Sequence, residues 1–375
     1  MMKIDKMKHL VFYIIFLSMF CGCNTENTKS GYKVYDIQKV QHADAGSFDS
    51  GDLHYIALEF NERCPIGYMD KIVLTDKYIF VKSDISLYRF SLEGKFLNNI
   101  GQYGESPSDV QGIFDFAIDE KQEIAFLWDM MGGKIAMYSF DNEFQHSIPY
   151  EGLVRNIEYN SNRIFLTFMN LGNELFKLQV MKTDGEVLYR SSNDIQYEFQ
   201  DMFALPSVKN MHLLSKEKML VRQNFNDTIY TYDQHQNNLS IRYVFDFGNS
   251  KLPYRLLSSY ELFNKEYENY AYLSDVSETN DYIYVDYVFH GKNKKVIIDK
   301  SNDQILTVQD PIGGITVKNG FHFFWPKWVS TEYLIDYIPA DYIIRYKDKI
   351  KNEKLSELVE LLDEESNPIL ILSKK

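Results

Sequence analysis

Three cysteines in 375 residues cannot build a disulfide framework, and two of them, Cys21 and Cys23, fall near the N-terminus, leaving Cys64 alone. Redox chemistry is not expected. Positive charge is also in short supply: 40 Lys+Arg face 53 Asp+Glu, a formal charge of −13, and no basic stripe offsets it. A phosphate backbone or an anionic membrane face would be repelled, so nucleic acid is not expected as a partner. The apolar run Leu10–Phe20 falls short of the ~20 residues a membrane-spanning helix needs. The eight histidines (His9, His42, His54, His146, His212, His235, His290, His322) form no i, i+2 or i, i+4 pairs, and Cys64 has no nearby partner thiol. No zinc site and no cofactor are expected. Aromatic residues, by contrast, are abundant: Tyr 28 and Phe 26, within a 45% hydrophobic chain. Such a chain can bury a large core, which excludes intrinsic disorder.

Residues 1–22 have the layout of a secretory signal, with Lys3, Lys6 and Lys8 ahead of the apolar run. The run ends in Phe20-Cys21-Gly22-Cys23, which resembles the lipobox of bacterial lipoproteins. That resemblance makes Cys23 the expected lipidation site and mature N-terminus. Acyl chains there would hold the protein at a membrane surface, since each buried CH₂ contributes about 0.8 kcal/mol. Residues 23–32 are polar and suit a flexible tether. The folded domain is expected over 33–375.

From residue 53 onward the chain is a succession of short Ile/Val/Tyr/Phe-rich segments with period-two alternation, broken by Gly, Asn and Asp clusters, the pattern of half-buried antiparallel strands. One unit recurs. Taking Ile79, Ile124, Ile164, Leu220, Ile283 and Phe323 as equivalent positions, the intervals are 45, 40, 56, 63 and 40 residues. A period of 40–45 with two insertions is the spacing of four-stranded propeller blades. The sixth copy is degenerate, running from Phe321 through Tyr337. Turns at Leu92-Glu-Gly-Lys, Phe140-Asp-Asn-Glu, Thr183-Asp-Gly-Glu and Lys300-Ser-Asn-Asp carry residues that accept the positive φ of a tight hairpin. Leu256, Tyr260, Phe263 and Tyr267 mark one helix over 254–270, expected to lie across a mouth of the propeller. Leu355, Leu358, Val359 and Leu362 mark a second over 351–365. An early strand at 53–60 and a terminal strand at 367–373 can complete one shared blade and remove the open sheet edge. The expected fold is thus all-β: a six-bladed β-propeller closed by its two ends, with two short helical insertions.

Particular stretches carry a wider likeness: Leu87–Gly101 with Gly104-Glu-Ser-Pro107, Phe114–Asp119, Phe225–Tyr232 with Asp246-Phe-Gly248, and Asn367-Pro-Ile-Leu370. Through them the chain resembles the six-bladed β-propeller lipoproteins, with NHL/TolB-like blades, of Gram-negative gut-type bacteria. The resemblance implies a propeller at the cell envelope, lipid-anchored to the outer membrane and facing the periplasm or the exterior. It transfers no catalytic residue, and fold alone does not fix function.

No catalytic motif stands out. Gly101-Gln-Tyr-Gly104 lacks the Lys-Ser/Thr and the following helix of a phosphate cradle. Trp128-Asp129 lacks a preceding Gly-His, and Asp115/Asp119 and Asp299/Asp303 lack the spacing of a calcium loop. Paired carboxylates for glycoside hydrolysis would come from different blades, where spacing carries no information. Aromatic residues concentrate near the expected lid and last blade: Phe321, Phe323, Phe324, Trp325, Trp328, Tyr254, Tyr260 and Tyr270. Packing between blades accounts for most of them; exposed rings would suit sugar or peptide recognition. Arg222 and His322 alternate with apolar neighbours on expected inner strands and are candidates to line the central channel. The candidate ligand-binding residues are therefore Arg222, Tyr260, His322, Trp325 and Trp328. The leading functional expectation is a non-enzymatic envelope lipoprotein that binds a glycan, peptide or partner protein. The alternatives are a propeller lyase or hydrolase acting on oligosaccharide, and a structural subunit of an outer-membrane complex.

Overall fold

The computed structural model describes residues 31–39, 41–172, 174–198 and 209–375; the signal segment and Cys23 lie outside the described residues. The first strands are β1 (Lys33–Asp36), β2 (Gln41–Asp44), β3 (Ser47–Asp49) and β4 (Leu53–Ala57). Three blades of one design follow. Blade I is β5 (Lys71–Leu74), β6 (Tyr78–Ser83), β7 (Ser86–Ser91) and β8 (Phe96–Ile100). Blade II is β9 (Asp115–Asp119), β10 (Ile124–Asp129), β11 (Lys134–Ser139) and β12 (Phe144–Pro149). Blade III is β13 (Val154–Asn160), β14 (Arg163–Phe168), β15 (Phe176–Met181) and β16 (Val187–Ser192). Each is an antiparallel sheet made by consecutive strands, the innermost first. The four turns expected to need positive φ have it, at Gly94 (83°), Asn142 (67°), Gly185 (90°) and Asp303 (59°).

The remaining blades borrow from the N-terminal strands. Blade IV, β17 (Met211–Ser215), β18 (Lys218–Val221), β19 (Thr228–Asp233) and β20 (Asn238–Asp246), carries β1 parallel to β20 on its outer edge. Blade V, β21 (Ala271–Glu278), β22 (Tyr282–Phe289), β23 (Lys292–Asp299) and β24 (Gln304–Thr307), likewise carries β2 parallel to β24. Blade VI has β25 (Ile315–Lys318) and β26 (His322–Phe324), with β3 parallel to β25. Blade VII has β27 (Trp328–Val329), β28 (Tyr333–Ile338) and β29 (Ile369–Lys374), finished by β4 antiparallel to β29. Residues 33–57 therefore form a girdle that covers three outer edges before closing the ring. The shared closing blade is as the sequence leads one to expect.

Among the described residues the strands make seven blades, not six. The miscount has a local cause: Phe321–Tyr337 reads as one degenerate unit, but Pro326 interrupts it, and β26 and β27 belong to different sheets. Blade VI is short and wedged between its neighbours. Its Ile315, Val317 and Phe324 share one core with Tyr284 and Ile297 of blade V and Leu334, Ile369 and Ile371 of blade VII, while β21 touches β27 directly.

The helices are also more broken than the periodicity implies. Residues 254–270 form a 3₁₀ turn, then α1 (Tyr260–Glu266), then a second 3₁₀ turn, because Ser259 takes an extended conformation between the first two. Leu256 is fully buried but Tyr260 is 53% exposed, so the two do not share one face. The segment packs as a cap, Leu256, Leu257 and Phe263 against Phe225, Tyr272 and Val288 of blades IV and V. Near the C-terminus α2 (Ala340–Ile344) precedes α3 (Glu353–Glu360), which buries Leu355 and Val359 and is capped by Asn352 Oδ1 accepting from Leu355 N at 2.9 Å. Asn367 locks the ring closure. Fully buried, its amide donates to the carbonyls of Glu59 and Cys64 and accepts from Ile66 N, each at 2.9 Å.

Candidate functional site

Inner strands line a central channel, and charged residues from several of them meet there. Here sit charges that an apolar core would not accept unpaired. Lys71, at the start of β5, reaches Asp115 of blade II at 3.2 Å and Glu158 of blade III at 2.8 Å, and donates to the carbonyls of Phe116 and Ile157, both at 2.8 Å. Burial disfavours its charge, but the two carboxylates outweigh burial and raise its pKa. Asn156 continues the chain of bonds, donating to Asp115 at 3.1 Å and accepting from the backbone N of Asn210 at 3.1 Å. Lys209 then joins blades IV, V and VII: it lies 3.4 Å from Asp275 and donates to Ser277 Oγ at 2.7 Å and to the Lys327 carbonyl at 2.9 Å. Polar bonds thus run from β5 through β9 and β13 to the residues ahead of β17, and from there to β21 and the chain ahead of β27.

Two neighbouring cavities lie along this channel. The outer one, about 820 Å³, is a mouth lined by Asp275, Asp286, Lys295, Trp325, Lys327 and Asp336. The inner one, about 280 Å³, lies within the channel and shares Asp70, Lys209 and Trp328 with the mouth. In the mouth Asp286 pairs with Lys295 and accepts from Trp325 Nε1 at 2.5 Å, and burial raises its pKa. Asp336 pairs with Lys327 at 3.0 Å and Asp70 with Lys82 at 2.8 Å. Asp310 instead caps its own turn through the amides of Ile312 and Gly313. Ammonium groups cover rings as well, Lys295 at 4.7 Å from the Trp325 centroid and Lys327 at 4.0 Å from that of Tyr337. Tyr68 and Ile312, 59% and 78% exposed, stand on the rim.

The sequence candidates fall at different depths. Trp325 and Trp328 are buried in the walls, Trp328 stacked on Tyr337 with centroids 5.9 Å apart. His322 lines the mouth from β26, bonded to the Tyr55 hydroxyl at 2.9 Å and the Phe323 carbonyl at 2.8 Å, and burial lowers its pKa. Arg222 follows β18, a second strand. Fully buried, it bonds the Ser274 carbonyl and lies 3.5 Å from Asp275, behind the mouth wall. Burial pulls its pKa down to about 10. Arg222 is thus not on an innermost strand as expected, whereas His322 is on β26, the edge of blade VI opposite its girdle strand. Tyr260 is on α1, half-exposed, outside the lining of both cavities. The structure therefore brings together His322, Trp325 and Trp328 but not Tyr260.

Sequence reasoning missed the charged floor. A signal was present: Asp286 in Tyr282-Ile-Tyr-Val-Asp-Tyr and Asp336 in Tyr333-Leu-Ile-Asp-Tyr are lone carboxylates inside apolar strands. His212, second residue of β17, was one scattered histidine among eight. It is among the residues lining the inner cavity, is 5% exposed, and has no hydrogen-bond partner for either ring nitrogen among the described residues. Burial, then Lys209, Lys375 and Arg242, push its pKa well below the ordinary value and hold it neutral. Among the described residues no group of three or more His, Cys, Asp or Glu is placed to hold a metal ion, and no helix is long and apolar enough to cross a membrane.

A family model described as a domain of unknown function, DUF4934, matches residues 46–374. In the crystal structure of a candidate exported protein from Bacteroides fragilis the fold superposes with a TM-score of 0.68 at 17% identity, covering 91% of this chain and 99% of that one. A member of the DUF4221 family from Bacteroides vulgatus superposes with a TM-score of 0.52 at 8% identity, covering 89% and 99%. At these identities the likeness is one of fold. No curated protein matches the chain.

Proposed function

We propose that this chain, which belongs to the DUF4934 family, is a lipid-anchored recognition module of the cell envelope that takes an extended polar ligand, a glycan or a peptide, in its channel mouth. One observation carries the reading: the carboxylates of the mouth and channel are matched to cations or to their own turn, so the floor is a rigid charged surface rather than a set of groups ready to exchange protons. Rings on the walls and two exposed apolar side chains on the rim supply the contact area. A paired, preorganised surface loses little entropy on binding. The lipobox-like Phe20–Cys23 and the exported character given to a structural relative support an envelope address.

The test is a thermal-shift and turnover screen of the full chain against oligosaccharides and peptides. A ligand at 100 times its Kd raises stability by about 2.7 kcal/mol, so stabilisation without product is the expected result. Cys23→Ala should lose incorporated palmitate and leave the membrane fraction; retention of both would remove the anchor from the reading.

A second reading rests on one observation. Asp275 and Asp286 are directly opposite each other on β21 and β22, a carboxylate pair on one sheet face beside the mouth. Released sugar in the same screen would favour a hydrolase or lyase.

A further inference from the structure

The strands of blades I to III are connected differently at their two ends. Away from the mouth, the connections 75–77, 120–123 and 161–162 and the hairpin turns 92–95, 140–143 and 182–186 are chiefly polar, as tight turns require. Among them Leu92, at 36%, is the one exposed large apolar side chain. At the mouth end, the connections between second and third strands raise Ile85, Met131 and Leu175 into solvent, 45–70% exposed. The segments that join one blade to the next add Tyr103, Phe114 and Leu153, 39–41% exposed, and Tyr68 stands ahead of β5. Ile85 is at the tip of a two-residue hairpin in which Asp84 (φ 53°) already supplies the left-handed residue. Nothing in the turn calls for a β-branched side chain there, and folding gains nothing by holding one in water.

These side chains form one arc. Tyr68, Ile85 and Phe114 line a single cleft of about 570 Å³, and the Tyr103 hydroxyl donates to the Ile85 carbonyl. Main-chain bonds carry the arc onward: Gln111 N donates to Asp129 at 3.1 Å, Tyr150 N to the Gly133 carbonyl at 2.9 Å and Met169 N to the Leu153 carbonyl at 3.0 Å. Each connection is fixed to the next, and a surface already ordered loses little entropy when it is covered. Together the arc exposes on the order of 800 Å², about what one partner contributes to a protein interface of standard size.

Charge selects the occupant. Lys82 is held by Asp70 at 2.8 Å, Lys177 by Asp194, and Lys134 by the Pro107 carbonyl at 2.8 Å. Asp84, Glu105 and Glu151 are exposed on the same connections and have no ion-pair partner among the described residues. Two copies of the chain set face to face would oppose these carboxylates, each within a chain of charge −13. We infer that the arc over blades I to III is the docking surface for a different protein, one that presents aliphatic and aromatic side chains rimmed by lysines or arginines. Cleft and mouth meet at Tyr68 and Asp70, so this surface is separate ground from the mouth and does not rest on the recognition reading above.

The test puts the photo-crosslinking residue p-benzoylphenylalanine in place of Ile85 or Met131 of the full chain, in the cells that make it, with Lys77 and Asn142 at the other strand ends replaced as controls. The expected result is one protein species, other than the chain itself, joined from both arc positions and from neither control. That protein is then purified and titrated against the full chain. Ile85→Asp combined with Met131→Asp should weaken binding about tenfold or more with an unchanged unfolding temperature. Asp84→Lys combined with Glu151→Lys should slow association, as should high salt with the unaltered chain. No adduct from the arc, or adducts as frequent from the controls, overturns the docking surface. An adduct of twice the chain's own mass overturns the partner in favour of self-association. Equal affinity for the Ile85→Asp, Met131→Asp chain overturns the apolar arc, and indifference to salt overturns the cationic rim. The crosslinking positions are exposed and the salt series uses the unaltered protein, so the outcome does not depend on the aspartate variants folding.

Discussion

Blades I to III are each made from one continuous stretch of chain, whereas blades IV to VII each carry a strand from residues 33–57. In the first half each blade is locally made, and neighbours are coupled by shared apolar cores and by the buried ion pairs of Lys71 between blades I, II and III. In the second half Lys209 and shared apolar cores do the same from within, and the girdle adds coupling on the outside. Buried Tyr35 of β1 meets Tyr243 and Phe245 of blade IV at ring separations of 5.6 and 6.0 Å, and Lys33 meets Asp303 of blade V at 2.8 Å. The ring of blades is thus held from within in both halves and from without as well in the second.

Substitutions can break this contrast at either place. The largest effect is expected from Lys71→Met, which strands two enclosed carboxylates: removing one partner of a buried pair costs about 3–5 kcal/mol, read as a lower denaturation midpoint in urea. Tyr35→Ala should cost about 3 kcal/mol by emptying the girdle's aromatic seat, and hydrogen exchange should quicken in blade IV before blade I. An unchanged exchange pattern would show that the girdle is ornament to a ring already closed.

Mild acid should act on the second half through two buried histidines. His212 and His322 have folded pKa values below the unfolded value of about 6.5, so the unfolded chain takes up protons that the folded one refuses. The stability these two histidines lend is therefore complete above pH 6.5 and is lost as pH falls from there toward their folded values. The slope is at most about 1.4 kcal/mol per pH unit for each group. Stability of His212→Phe measured against pH should show a shallower fall than the parent protein; parallel curves would mean that His212 titrates normally. The smallest effect is expected from Lys33→Ala, since both partners of that bridge are half-exposed, and a double-mutant cycle with Asp303→Ala should return under about 1 kcal/mol.

The regular half is also the legible half. Blades I to III announce themselves by alternation and by turn residues such as Gly94 and Asn142, because each strand pairs with the next in sequence. Blade VI escaped the count because its third strand, Ser47–Asp49, lies far from β25 in the chain, and pairing across such a distance leaves no periodic trace. The closing blade was readable despite its long reach, since an unpaired apolar strand at each end needs a partner. Of the candidate site, the aromatic walls Trp325 and Trp328 were visible as a local excess. Lys71, Lys209 and His212 were not, because what marks them is enclosure, and enclosure follows from seven sheets meeting around an axis rather than from any neighbour in sequence.

The girdle also sets a clock on biosynthesis. Leu53 pairs with Ser373, roughly 320 positions later, and at about 5–20 residues added per second β4 waits some 15–60 s before its partner exists. Blades I to III can form on the ribosome in that interval, but no closed ring can. A chain built this way remains open-ended and threadable until its final strand emerges, so truncation at the C-terminus forfeits closure at both ends at once.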